Sequence, residues 1–124
     1  MHCDALQADY YQGKHACEIR SARPLVIQSA AKYRDITLLL AQNHITEKVY
    51  IGLRYSILED DWEWEDRTLL SPVLRKWYPG QGVQFGIDKD CVAIYGYNFL
   101  LYQSPCDSLV EVGTYDPMYF ICEA

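Results

Sequence analysis

The chain has 124 residues, half of them hydrophobic and 23% charged, which is enough for one packed domain and too few for two. Its formal charge of −6, from 11 basic and 17 acidic side chains, argues against nucleic acid or an anionic membrane as partner, because both need a basic face. The longest apolar runs, "ITLLLA" (36–41) and "NFLLY" (98–102), fall far short of the ~20 residues of a membrane-spanning helix, so this segment is not expected to insert into a bilayer.

In chain order, residues 4–20 read as a helix capped by Asp4, with Gln7 three residues on and Leu6, Tyr10 and Cys17 on one face. Gly13 weakens that helix. "PLVI" (24–27) reads as a short strand. Ser29 caps a second helix whose Ile36, Leu39 and Leu40 face the core. "KVYIGL" (48–53) is an apolar, β-branched strand. "DWEWED" (61–66) alternates, with Trp62 and Trp64 on one face and Glu63 and Glu65 on the other. Residues 67–90 show little periodicity, and Trp77, Tyr78 and Phe85 suggest an ordered loop with a small core of its own. Residues 91–97 and 98–106 read as a hairpin, and 118–124 as a last strand. No repeat or linker divides the chain, so residues 1–124 form a single α+β domain.

Five cysteines, Cys3, Cys17, Cys91, Cys106 and Cys122, include no Cys-x-x-Cys pair, and none of the three histidines stands at zinc-ligand spacing from them. Disulfides in an oxidising, extracellular compartment are the expectation. No histidine is linked by motif to a nucleophile and an orienting acid, so the chain does not read as an enzyme.

Several segments together resemble the C-type lectin-like domain. "YIGL" (50–53) is similar to that family's Trp-Ile-Gly-Leu strand, with Tyr50 for Trp. "WEWED" is similar to the strand that follows, with Arg67 in place of a glycine. Cys17, "DCVAI", "PCDS" and "YFICE" fall at the family's four cysteine positions. The order and spacing cover nearly the whole chain. The resemblance implies two helices and small antiparallel sheets with a long ordered loop region, stapled by bridges Cys17–Cys122 and Cys91–Cys106. Cys3 is then left unpaired or intermolecular, and a homodimer through it is one expectation.

Sugar-binding members of the family hold calcium on acidic and amide side chains of this loop. Here the corresponding positions carry Gln81, Gly82 and Val83, then Lys89, then Leu101, Tyr102 and Gln103. Calcium takes six to eight hard oxygens, several of them carboxylates. Lys89 would repel the ion by about 8 kcal/mol at about 4 Å and an effective dielectric of about 20. Gly82 stands where the family has a cis-proline, so the loop backbone is expected to take another path. No metal and no cofactor is therefore expected, calcium included. An alternative cation site would draw on Glu59, Asp61 and Asp90, the last matching a ligand of the family's secondary site. Set against it is the reading of 59–66 as a solvated loop and an outward strand face.

Tyr10, Tyr33, Tyr50 and Tyr95 fall in helix or strand patterns and read as structural, as Trp62, Trp64 and Trp77 do at family core positions. Tyr78, Phe85 and Tyr102 fall in or beside the ligand loop, where rigid rings suit either a protein-binding hot spot or the packing of the loop itself. Segment 107–117 is longer than the family's usual turn and reads as a second binding loop or a longer hairpin. The expected function is calcium-independent recognition of a protein through Tyr78, Gln81, Val83, Phe85, Lys89, Tyr102 and Gln103. The alternatives are glycan binding without calcium at the principal site, or with a relocated ion, and a structural module of a larger secreted or membrane-anchored ectodomain.

Overall fold

The computed structural model describes residues 6–82, 90–111 and 113–124. Its first helix, α1 (Tyr10–Ile19), begins later than the sequence suggests. Its N-cap is Asp9: the Asp9 carboxylate accepts the Gln12 N–H at 2.8 Å, and the Gln12 side-chain oxygen accepts the Asp9 N–H at 3.3 Å. The reciprocal pair satisfies two amide groups that the start of a helix leaves open. The proposed cap Asp4 lies outside the described residues. Residues 6–7, expected in the helix, form strand β1 (Leu6–Gln7) instead, paired antiparallel with β7 (Tyr119–Phe120).

The "PLVI" stretch is paired only through β2 (Arg23–Pro24), which lies against β8 (Cys122–Glu123). Leu25, Val26 and Ile27 are wholly buried without being a strand, and the Leu25 carbonyl accepts the Gly52 N–H at 2.7 Å. The second helix, α2 (Ala30–Gln42), starts as expected: Ser29 Oγ accepts the Lys32 N–H at 3.1 Å. Ile36 and Leu40 are buried from it, whereas Leu39 is only partly so.

Strand β3 (Lys48–Ser56) is the hub of a 6-stranded sheet ordered β1-β7-β3-β5-β6, with β4 (Asp61–Trp64) also on β3. Val49 to Leu53 are buried in succession, the pattern of a strand covered on both faces. β3 runs parallel to β7 and antiparallel to β4 and to β5 (Cys91–Tyr95), and β5 pairs on with β6 (Leu101–Ser104). The expected hairpin is therefore present with shorter strands. β4 ends at Trp64, not at residue 66, because the chain turns at Arg67, whose φ is +75° and whose N–H donates to the Trp64 carbonyl at 2.9 Å. That conformation explains a glycine at this position in the family, since a side chain there costs about 1–2 kcal/mol. The final segment divides into β7 and β8, which serve different sheets.

One core packs α2 on the sheet around Trp62, Trp64, Leu74 and Ile51. A second packs α1 on the sheet around Tyr10, Tyr50, Phe120 and the two bridges, Cys17–Cys122 and Cys91–Cys106. Cys3 lies outside the described residues. Tyr50 takes the tryptophan position of the family motif and places its hydroxyl 2.6 Å from the Pro105 carbonyl and 2.9 Å from that of Ser108.

Burial pushes the Tyr33 and Tyr50 hydroxyls up to about 12 from an ordinary 10.0. Tyr10, buried and donating to the Glu65 carboxylate, is pushed higher still. Each keeps its proton when folded at a pH where the unfolded phenol loses it. Their contribution to stability is intact below pH 10 and is lost as pH rises through 12. Urea midpoints are therefore expected to fall steadily above about pH 10, less steeply in Tyr33→Phe. A midpoint that stays level to about pH 12 would contradict these burial effects.

Candidate ligand-binding site

The loop site is assembled around β6. Lys76 and Tyr78 run alongside Leu101: the Leu101 N–H donates to the Lys76 carbonyl at 2.8 Å and the Tyr78 N–H to the Leu101 carbonyl at 3.0 Å. This sets the Tyr78 ring on the Tyr102 ring, stacked at 4.9 Å with 20° between planes. Pro79 and Gly80 then turn the chain, closed by the Gln81 N–H on the Tyr78 carbonyl at 2.9 Å.

Gln81 and Gln103 staple the loop to the sheet. Gln81 Oε1 accepts the Gln103 N–H at 2.8 Å, and Gln103 Oε1 accepts the Gly82 N–H at 2.9 Å. Trp62 Nε1 donates to the Gly82 carbonyl at 3.1 Å. Gly82 itself has φ +83°, and a Cβ there would stand 2.7 Å from the Trp77 indole, so no other residue fits without moving the ring. Trp62 and Trp77 lie 5.0 Å apart between their centroids. The three tryptophans are thus core and loop support, as the sequence suggests.

Lys48, at the start of β3, enters the site although nothing in the sequence points to it. Its ammonium lies 4.2 Å over the Tyr102 ring and 2.9 Å from the Glu111 carboxylate, and the side chain is largely buried. Asn98 Nδ2 donates to the Tyr102 hydroxyl at 2.8 Å. Lys48, Gln81, Tyr102, Gln103, Ser104 and Glu111 line a depression of about 220 Å³. From segment 107–117 it is Glu111 that reaches this depression. The described residues of that segment do not extend β6 but pair as a small hairpin, with the Glu111 N–H on the Asp116 carbonyl at 2.8 Å and the Met118 N–H on the Leu109 carbonyl at 2.9 Å. Of the loop residues singled out in the sequence, the structure brings Tyr78, Gln81, Tyr102 and Gln103 together. Val83, Phe85 and Lys89 lie outside the described residues.

The acidic residues do not converge. Asp61 takes the Arg75 guanidinium at 2.9 Å. Burial pushes its carboxyl up, but Arg75 and the Trp62 N–H outweigh this and hold it below the ordinary range. Asp90 pairs with Arg54 at 3.2 Å, on another part of β3, and Glu59 is exposed on the β3–β4 turn. Among the described residues, the one group of three donor side chains within reach of a single ion is Asp90, Cys91 and Cys106. The two cysteines are joined in a bridge, so they offer no thiolate.

Comparison with known proteins bears on the family and the fold. A family model described as the lectin C-type domain matches residues 6–124. C-type mannose receptor 2 of mouse is 33% identical over 110 residues, and the human receptor 34% over 111. Each alignment covers 86% of this chain but 7% of the receptor, so the chain spans a small part of these relatives. The cow C-type carbohydrate-recognition domain of CD23, solved in the presence of a GlcNAc2Man3 oligosaccharide, superposes with a TM-score of 0.71 at 22% identity, over 94% of this chain and 79% of that one. The mouse scavenger receptor C-type lectin carbohydrate-recognition domain gives 0.70 at 25% identity, over 94% and 80%.

Proposed function

The chain belongs to the C-type lectin domain family, and from that premise we propose that it recognises a protein ligand without calcium, through the Tyr78–Tyr102 face. Domains of this family are non-enzymatic binding modules, and this one is read as the same. The observation that carries the proposal is the pair of glutamine staples. In the family's sugar-binding members, acidic and amide side chains of this loop hold calcium. Here the oxygens of Gln81 and Gln103 accept backbone N–H groups and tie the loop to the sheet. The donor set, two neutral amides and a phenol, does not fit calcium, which takes several carboxylates.

A loop ordered without an ion can present rigid rings, which lose little rotamer entropy on binding. Tyr78 is 44% exposed beside a partly buried Tyr102. Val83, Phe85 and Lys89 extend the proposed surface on the strength of the sequence. Membership of the family and its cysteine bridges also favour an extracellular setting. Among the described residues no helix is long and apolar enough to cross a membrane.

The test has two arms. Millimolar calcium is expected to leave the melting temperature unchanged, because a native-state ligand must stabilise by RT ln(1 + [L]/Kd). A rise of several degrees, reversed by chelator, would overturn calcium independence. In the second arm, Tyr78→Ala and Tyr102→Ala are measured against a protein captured with the domain as bait. Each is expected to weaken binding about 30-fold, the loss typical of a hot-spot ring, with little change in melting. Unchanged affinity in both would remove this face from the interface.

A second reading, glycan binding without calcium, is favoured by one feature. The 220 Å³ depression sets amides, the Ser104 hydroxyl and the Tyr102 ring around one space, groups suited to sugar hydroxyls and a sugar face. Binding on a glycan array in chelator, lost in Tyr102→Ala, would favour it over the protein reading.

A further inference from the structure

The loop site makes no use of the outward face of β4. Register puts Arg54 on β3 directly opposite Glu63 on β4, so both side chains stand on one face of the sheet. Alternation adds Ser56 and Glu65 to that face and turns Trp62 and Trp64 into the core. Lys14 reaches it from α1 and pairs with Glu65 at 3.2 Å. With Arg67, from the turn after β4, these side chains line a cavity of about 350 Å³. It shares no residue with the loop depression, and Arg54 lies about 20 Å along β3 from Lys48.

Most of the charges around this cavity are matched. Glu65 takes Lys14 and the Tyr10 hydroxyl, and Asp90 takes one end of the Arg54 guanidinium at 3.2 Å. Asp90 does not saturate Arg54, whose buried Nε–H has no acceptor among the described residues. Two groups are unmatched. Among the described residues neither Arg67 nor Glu63 makes an ion pair. Arg67 is also held at φ +75°, a conformation that strains any residue with a side chain and suits glycine. Strain of this kind is concentrated where a side chain has a function.

From the cavity and its unmatched groups we propose that it binds a small hydroxylated carboxylate, the anionic end on Arg67 and a neighbouring hydroxyl on Glu63. The site stands apart from the loop face and does not depend on the reading of that face. Its ligand class follows from donors set against acceptors. Arg67 brings five N–H donors in a planar fork, which fits the two oxygens of a carboxylate. Lys14 has donors beyond the one that meets Glu65. The unmatched carboxylate, Glu63, accepts only, so it calls for an O–H on the same ligand rather than a second anion. A cationic ligand would meet three basic side chains, and a neutral polyol would leave Arg67 unmatched. The volume is in the range of small-molecule sites.

The test is an NMR titration of the intact domain with gluconate, and with sorbitol at the same ionic strength. Sorbitol keeps the hydroxyls and lacks the charge. Gluconate is expected to bind saturably in the millimolar range and to move the amide signals of residues 54–56 and 63–67, which sorbitol leaves in place. Arg67→Gln is expected to weaken gluconate about fivefold, the upper range for an exposed ion pair. Arg34→Gln removes the same charge from an exposed position on α2 outside the cavity, and is expected to change affinity less than about twofold. Arg67→Gly removes side chain and strain together. It is expected to melt no lower than the wild type while binding gluconate as weakly as Arg67→Gln. No saturable shift at those amides, equal binding of sorbitol, or equal losses in Arg34→Gln and Arg67→Gln would each overturn the proposal. So would Arg67→Gly if it bound like the wild type, or if it melted lower, since Arg67 would then be retained for structure.

Discussion

Removing the bridge between Cys17 and Cys122, as Cys17→Ala with Cys122→Ala, is expected to destabilise the domain by about 4 kcal/mol. The two cysteines are 105 residues apart in sequence. Cutting their link returns to the unfolded chain the freedom of nearly its whole length, about 4.7 kcal/mol by loop-closure arithmetic. The bridge also fastens α1, through a fully buried Cys17, to β8. The second bridge spans 15 residues, for which the same arithmetic gives about 3 kcal/mol. The expected order in urea denaturation is therefore wild type, then Cys91→Ala with Cys106→Ala, then the Cys17 and Cys122 pair. For a chain of this size each kcal/mol lowers the melting temperature by about 3–6 °C, so the larger loss is expected to exceed ten degrees. A greater loss from the 15-residue bridge would show that local packing, not chain entropy, sets the order.

Gly13→Ala is expected to cost about 2 kcal/mol, although alanine is the better helix former by about 1 kcal/mol. Gly13 is buried in the middle of α1, and a Cβ there would stand inside the contact shell of the Phe120 ring, 2.7 Å from Cδ1. Phe120 cannot swing aside. It is fully buried, with Tyr10 at 5.6 Å and Tyr50 at 6.4 Å between ring centroids. Either the helix lifts from the sheet or the ring leaves its rotamer, and overpacking of this kind typically costs about 1–3 kcal/mol. Shrinking the ring should relieve it. The loss in Gly13→Ala with Phe120→Leu is expected to be smaller than the sum of the two single losses, because the residues touch. Additive losses, or a stabilised Gly13→Ala, would show that the glycine is there for another reason.

Gly13 also marks how far the sequence could be read. From the chain alone it was a weak point in a helix. In the fold it is the place where a strand residue from the other end of the chain meets the helix backbone. The same holds for residues 6–7. Their spacing fits the face of a helix, and only β7 makes them a strand. Lys48 was an ordinary first residue of a strand until its register with Tyr95 and its pairing with Glu111 brought it onto Tyr102. Asp61 and Asp90 were legible as carboxylates, but not their partners Arg75 and Arg54, which take them away from any common ion.

The sequence by itself determined the elements whose causes are local. Ser29 starts α2, the alternation of 61–64 buries two tryptophans, and the apolar run of 49–53 makes a doubly covered strand. It also determined the family, because cysteines, core strand and their spacing are written in order along the chain. The tertiary structure decided what those positions do together. Whether Gln81 and Gln103 are ligands or staples depends on which N–H groups face them across the loop. Whether a tyrosine is core or surface depends on what packs on its ring. Such contacts join residues far apart in the chain, whose approach is set by the hydrophobic burial of the whole domain rather than by the propensity of any one segment.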